Sequence, residues 1–358
     1  MLGLKYRSMI TDIHLQNFRS YKDSSFDIGD KVNIIIGQNG SGKTNLLESI
    51  MMITRGSSYR VKDPHLVLIG SKWSKIEAHT SDQTRILKIT NEQDKATKNF
   101  IINTQSISRL RLEHTIPIVF FEPNHLQLLS GSPEARRDYL DDILSQTKPG
   151  YKQLIAKYKR IVAQRNNLLK NPPVNKHSIF AWNVQLSEMG GKIYRSRQEL
   201  ITIINSDITD IYQSVSKNKD NIQLKYISEF EPSNYETKLL KSLEDFSQDQ
   251  VRGYTLHGPH RDDFKVYINH NEFSLVGSRG ETRTTLLAMK LIEAKIIEDH
   301  TNKKPILLLD DVFGELDQQR RKLLTNKIKN YQSFITTTDA DVVIKHFDKS
   351  ANIIITQQ

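Results

Sequence analysis

Gly37-Gln38-Asn39-Gly40-Ser41-Gly42-Lys43-Thr44 matches the pattern G-x-x-x-x-G-K-[ST] of a phosphate-binding loop. Its flanks decide whether the match carries meaning. Upstream, Val32-Asn33-Ile34-Ile35-Ile36 is a short apolar run that reads as a buried strand. Downstream, Asn45 to Ile53 puts Leu46, Leu47, Ile50 and Ile53 on one helical stripe. Strand, glycine-rich turn and helix thus follow in the order such a loop requires. The glycines let the backbone wrap closely around an anion. Successive N–H groups and the positive helix end then face the phosphates. Lys43 is expected to reach the β- and γ-phosphates, and the Thr44 hydroxyl to ligate Mg2+.

A second half of the site is expected far downstream. Pro305-Ile306-Leu307-Leu308-Leu309-Asp310-Asp311 is an apolar run ending in two carboxylates. The unbroken run suits a parallel strand buried on both faces. Acids at its C-terminal end lie where open α/β sheets bind ligands. Asp310 is the expected Mg2+ partner, directly or through water, and Asp311 the group that orients or deprotonates the attacking water.

The chain has 358 residues, enough for a large domain and a second one. No cysteine is present, which removes disulfides and thiolate chemistry and suits a reducing, cytoplasmic setting. No apolar run approaches the roughly 18 residues that span a bilayer. Residues 1–8 are too short and polar for a signal peptide and read as an extension before the first strand. The formal net charge of +10 favours a polyanionic partner such as nucleic acid.

In chain order, Ile10 to Phe18 and Ser25 to Ile28 read as strands around the turn Asn17-Phe18-Arg19-Ser20-Tyr21. Ser74–His79, Thr84–Thr90 and Asn99–Asn103 read as an antiparallel meander, and Ile116–Phe121 as a strand that Pro117 confines to a start or an edge. Arg60 sits in a loop from which it reaches nucleotide or DNA, or stays solvated. Beyond about Pro123 the texture turns helical. Ser132-Pro133-Glu134 is a helix start, with Arg136, Arg137 and Asp138 after it. One long amphipathic helix covers Tyr151 to Leu169. A second covers about Phe180 to Ser214 and carries Gly190-Gly191, which permits close approach of another helix. The division read from this texture is a head of residues 1–124 and 251–358 and a mainly α-helical lobe of residues 125–250. From Asp142 to Glu188 no acid intervenes, while Lys157, Lys159, Arg160 and Arg165 fall in the interval. Solvated helices usually mix charge signs, so these four are the expected DNA contacts, against a merely solvated face. His257-Gly258-Pro259-His260-Arg261-Asp262-Asp263 is a dense polar turn. Its spacing matches no metal-ligand pattern, and a structural turn or a support for the nucleotide site is expected.

Val276-Gly277-Ser278-Arg279-Gly280-Glu281 opens the helix that precedes the acidic strand. A small Ser-x-Gly turn at a helix start is a second anion site. It resembles a variant of the Leu-Ser-Gly-Gly-Gln signature of ABC-type ATPases, with Glu281 in the glutamine's place. Gly314-Glu315-Leu316-Asp317 resembles their D-loop, with Gly314 where serine is usual. Taken with Asn17–Tyr21, Gly131-Ser132-Pro133, Arg136-Arg137 and Gly258–Asp263, the set resembles the RecF family from about Met9 to the C-terminus. That resemblance implies an α/β fold, a P-loop ABC/SMC-like ATPase head of mixed sheet with antiparallel meander plus an α-helical insertion lobe. It implies ATP and Mg2+ as cofactors, and a homodimer closed by ATP in which Ser278, Arg279, Gly280 and Glu281 complete the partner's site. It further implies weak DNA-stimulated ATPase activity, binding at single-strand gaps or junctions of single-stranded and duplex DNA, RecR and RecO as partners, support of the SOS response, and no membrane. A transporter-type or SMC-like ATPase subunit not specific for gap repair is the alternative. A P-loop kinase or GTPase fits the long Lys43–Asp310 interval poorly. A scaffold that holds ATP without cleaving it stays open, because Asp311 stands where fast ABC ATPases carry glutamate. No Q-loop glutamine stands out beyond Gln127, and Asp339 is the candidate γ-phosphate sensor in Thr336–Asp339.

Overall fold

A computed structural model describes residues 9–92, 95–171, 173–174, 176–216, 218–339, 345, 347 and 351–356. The N-terminal extension lies outside them. In chain order the strands are β1 (Ile10–Phe18), β2 (Tyr21–Asp27), β3 (Val32–Ile36), β4 (Trp73–Thr80), β5 (Thr84–Glu92), β6 (Lys95–Ile102), β7 (Gln105–Ile107), β8 (Ile118–Phe121), β9 (Ile222–Ile227), β10 (Asp263–Ile268), β11 (Asn271–Glu272), β12 (Ile306–Leu309), β13 (Ser333–Thr337) and β14 (Asn352–Ile355). The α-helices are α1 (Lys43–Arg55), α2 (Pro133–Thr147), α3 (Tyr151–Lys170), α4 (Lys176–Ser216), α5 (Tyr235–Glu244), α6 (Ser247–Arg252), α7 (Phe273–Val276), α8 (Arg279–Thr301), α9 (Val312–Glu315) and α10 (Gln318–Ile328).

The chain divides into two compact units, one of residues up to His125 and from Glu293 onward, the other Leu126–Ile292. In the first, the expected sheet and meander are two sheets. One is five-stranded, in the order β14-β3-β13-β12-β8, and every pairing in it is parallel. The other is the six-stranded antiparallel meander β2-β1-β4-β5-β6-β7. β8 ends the parallel sheet and Pro117 lies immediately before it, so the strand meets both positions expected for that proline, a start and an edge. Helix α1 explains how both sheets share one core. Leu46, Leu47, Ile50, Met51, Met52 and Ile53 are buried, so the helix is apolar nearly all round. Ile13 and Leu15 of β1, Ile76 of β4, Leu87 of β5, Leu308 of β12 and Phe334 of β13 join it in one cluster. A strand apolar at every position, as in β12, is what a parallel sheet covered on both faces selects.

The second unit extends to Ile292, past the boundary at 250 read from sequence texture. The reason is a strand pairing. β10 runs antiparallel to β9, Asp263 opposite Ile227 through Ile268 opposite Ile222. Residues 263–268 thereby become the middle strand of the sheet β11-β10-β9. α3, α4 and α5 share a second core, in which Tyr158, Ile161, Ile193, Tyr235 and Leu239 are buried. Gly190 permits the approach of α5: a Cβ there would lie 2.9 Å from Leu239 Cδ2. Among the described residues no helix is long and apolar enough to cross a membrane.

Candidate nucleotide site and its surroundings

The loop between β3 and α1 turns on Gly40 and Gly42, at φ +88° and +97°, the left-handed region open to glycine. Gly42 has a second constraint: a Cβ would stand 2.7 Å from the Tyr21 hydroxyl, which donates to Gly42 O at 3.1 Å. The Lys43 ammonium lies inside the loop and donates to Gly37 O at 2.8 Å and Gln38 O at 3.0 Å. Ser41 Oγ is 2.7 Å from Thr356 Oγ1, which ties the loop to the residue after β14.

Asp310 leaves the end of β12 beside the start of α1. Thr44 Oγ1 donates to Asp310 Oδ1 at 3.3 Å, across 266 residues of chain. Thr336, at the end of β13, donates to the same oxygen at 2.6 Å, and its Oγ1 accepts from Asp311 N at 2.9 Å. One hydroxyl therefore orients both acidic residues. Asp310 is buried, whereas Asp311 is exposed, with φ +52°. Partial burial raises the Asp311 pKa, the neighbouring Asp310 raises it further, and Lys43 opposes both. A carboxyl held toward protonation near a phosphate loop suits proton transfer.

Sequence reasoning missed the fastening of α1. Glu48 on that helix is fully buried. Its Oε2 lies 2.9 Å from Arg19 Nε in an ion pair, and its Oε1 accepts from Ser58. Arg19 also donates to His65 O at 2.9 Å, and Ser20 Oγ accepts from Asn45 Nδ2 at 2.9 Å. The turn Asn17–Tyr21 thus clamps the phosphate-loop helix at three successive residues, Arg19, Ser20 and Tyr21. The available signal was a glutamate in the middle of an apolar helix stripe. Tyr59 is a second omission. Its ring packs on Phe120 with centroids 4.1 Å apart, and its hydroxyl is buried. Burial first, and then the charge of Asp310, drives its pKa far up. Arg60 is exposed. Asp339 N donates to Thr337 Oγ1 at 3.1 Å.

In the second unit Ser278 and Arg279 are exposed at the start of α8. Lys157, Lys159 and Arg160 are exposed on α3. Arg165 is not, and its expected role as a DNA contact is corrected. Its side chain is fully buried. It donates to Asp249 Oδ2 at 2.5 Å, Asn183 Oδ1 at 2.7 Å, Thr255 Oγ1 at 2.9 Å and Leu243 O at 3.0 Å. The warning was its register: it follows the buried Tyr151, Tyr158 and Ile161 on the stripe that continues to Leu169. The polar turn around Gly258–Asp263 is a bonded hub. Arg136 grips Asp263 at 2.6 and 2.8 Å, and Arg137 donates to Asp262 O at 2.8 Å. Arg197 donates to Pro259 O at 2.6 Å and holds Asp141 with two bonds of 2.9 Å. Tyr158 OH donates to His260 Nδ1 at 2.8 Å while His260 Nε2–H faces Thr255 O at 3.1 Å.

The DNA replication and repair protein RecF of Clostridium perfringens is 31% identical over 354 residues, covering 96% of this chain and 97% of that one. Its counterpart in Bacillus mycoides is 33% identical over 362 residues, covering 96% of each. Among solved structures, the recombination mediator protein RecF with ATPrS, in the RecFOR pathway, superposes with a TM-score of 0.85 at 28% identity, over 94% of this chain and 95% of that one. An Smc head bound to the C-winged helix domain of ScpA, at TM-score 0.58 and 16% identity over 98% and 94%, shares the fold. The family model for the RecF/RecN/SMC N-terminal domain matches residues 9–358. With a family model matching residues 9–358 and relatives above 30% identity along nearly its whole length, this chain belongs to the RecF family.

Proposed function

We propose that this chain is a cytoplasmic, ATP-dependent DNA-binding protein of recombinational repair and replication. It dimerises on ATP, cleaves it slowly, and acts at single-strand gaps or junctions with RecO and RecR in support of the SOS response. The observation that carries this reading is the meeting of Thr44 and Asp310 at the C-terminal end of the parallel sheet, below a loop built on Gly40 and Gly42. The similarity to RecF solved with ATPrS supports it.

The residues present fit both cofactors. Gly37–Thr44 offer a cradle in which glycine alone fits beside Tyr21. Thr44 and Asp310 supply hard oxygen donors, the kind Mg2+ selects. Mg2+ on these oxygens would neutralise charge on the β- and γ-phosphates. Lys43, released from Gly37 O and Gln38 O, turns its ammonium to the phosphates. Thr336 keeps Asp310 in place through its 2.6 Å bond. Asp311 takes a proton from the attacking water. Ser278 and Gly280 of a second copy would close the site, a reading that the exposure of Ser278 and Arg279 supports. Lys157, Lys159 and Arg160 meet DNA phosphates.

Light scattering with and without ATP, repeated with gapped DNA, tests dimer, nucleotide and substrate class together. Lys43→Ala should abolish nucleotide binding, and with it the ATP-dependent dimer. Persistence of that dimer in Lys43→Ala would remove the phosphate loop from the account.

A further inference from the structure

We propose that the cavity between the start of α4 and the corner joining α5 to α6 receives an arginine side chain from a partner protein, held by Phe180 and by the carboxylates of Glu244 and Asp245. The cavity lies wholly within the second unit, and its assignment does not depend on the nucleotide site.

The cavity has a volume of about 410 Å³, inside the range of roughly 300–1,000 Å³ typical of ligand pockets. Ile179, Phe180 and Asn183 line it from α4, Glu244 and Asp245 from the C-terminal end of α5, and Phe246 from the corner before α6. Its floor is fixed. Asn183 is 1% exposed, its Oδ1 accepts from Arg165 Nε at 2.7 Å, and its Nδ2 donates to Leu243 O at 2.8 Å. Arg165 is held in turn by the buried Asp249. A pocket anchored on such a cluster needs little ordering when it is filled.

The walls select a cation. The lining holds two carboxylates and no base, on a chain whose net charge is +10. Glu244 is exposed and pairs with no cation among the described residues. Lys241 on α5 and Arg252 on α6 lie outside the lining. Ser247 donates to Asp245 Oδ1 at 2.7 Å, and that bond holds the Asp245 carboxyl below its usual pKa, so it stays charged at neutral pH. Both acids stand at the negative end of α5, where a cation is favoured. Phe180, 49% exposed, and the partly buried Phe246 offer aromatic rings to the same cation. Arginine suits this set better than lysine. Its planar guanidinium stacks on rings, its fork meets carboxylates with paired bonds, and its stem packs on apolar walls. The mouth favours a peptide over a free small cation. Val251, one residue past Gln250 of the lining, is 88% exposed. With Phe180 it gives the residues on either side of a bound arginine apolar surface to bury.

The test titrates the full chain with the peptide acetyl-Leu-Arg-Leu-amide, its norleucine analogue and N-acetylarginine amide, followed by saturation-transfer NMR. The arginine peptide should bind at least about tenfold more tightly than the norleucine analogue, and also more tightly than N-acetylarginine amide. Glu244→Gln combined with Asp245→Asn should weaken the arginine peptide by roughly tenfold, about threefold for each exposed charge pair. Phe180→Ala should weaken it about threefold, the scale of one exposed cation–π contact. Raising the salt should weaken it as well. These are surface changes, so each variant should melt within about 2 °C of wild type. If the norleucine analogue binds as well as the arginine peptide, the cation is not what the cavity reads and the proposal fails. Equal binding of N-acetylarginine amide would make it a small-molecule pocket and remove the protein partner. If the variants bind the peptide unchanged, or lose affinity for a single-stranded oligonucleotide instead, the cavity is not the docking site.

Discussion

Replacing Arg165 with alanine should cost this protein its stability before it touches DNA binding. The guanidinium is fully buried, and four acceptors surround it: Asp249, Asn183, Thr255 and the Leu243 carbonyl. Asp249 is itself 1% exposed. Once the arginine is gone, its carboxylate keeps the Leu256 N–H at 3.0 Å but no cation. A buried charge left in that state costs about 3–5 kcal/mol. For a unit the size of residues 126–292, each kcal/mol lowers the melting point by roughly 2–4 °C, so a fall of about 6–20 °C follows. Thermal melts followed by circular dichroism measure it, and DNA affinity is then taken well below the variant's midpoint. There it should match wild type. Pairing Arg165→Met with Asp249→Leu should recover most of the loss, since apolar groups of similar volume replace buried ion pairs at little cost. A variant that melts within about 1 °C of wild type yet loses DNA affinity would refute the buried assignment and return Arg165 to the surface.

The exposed trio on α3 behaves in the opposite way. Lys157→Glu, Lys159→Glu and Arg160→Glu together should leave the melt unchanged but weaken DNA binding. The slope of log K against log[salt] should become shallower by up to roughly 2–3, at about 0.7–0.9 per phosphate contact; an unchanged slope would take these residues off the DNA path. The hub around Gly258–Asp263 predicts a pH effect. Burial pushes Asp262 up from 3.8 to about 6, so its contribution is full below pH 3.8 and is lost as pH rises through about 6. Burial pushes His260 down from 6.5 to about 4, so its contribution is full above pH 6.5 and is lost as pH falls toward 4. The two oppose each other over one window. Asp262→Asn, measured by urea denaturation across pH 4–6.5, should therefore gain stability with rising pH more steeply than wild type, and parallel profiles would contradict the assignment. At the α4–α5 contact, Gly190→Ala would bring its Cβ to 2.9 Å from Leu239 Cδ2 and should cost about 1–3 kcal/mol in the same assay. A neutral result would mean the two helices separate freely.

What the residues alone determined were the short-range devices. Gly37–Thr44, the run ending at Asp310-Asp311, the cap at Ser132 and the apolar periods of α1, α3 and α4 each act through backbone geometry within a few positions, so their neighbours in sequence are enough to read them. Pro117 restricted its strand to a start or an edge because it lacks an N–H donor; the sheet order is what puts β8 at the edge. Tertiary structure decided whatever depends on a distant partner. Lys157 and Arg165 look alike as cations on one helix, but Arg165 is buried because Asp249, 84 residues away, meets it. Residues 263–268 read as the return of head-like strands, yet their pairing with β9 makes them part of the second unit. Thr336 stood in the sequence only as the start of the stretch Thr336–Asp339, and the parallel register of β12 beside β13 brings its hydroxyl to Asp310. A side chain's charge is written in the chain, whereas its solvation is set by what folds over it, and the cost of burying a charge makes that second fact decide its role.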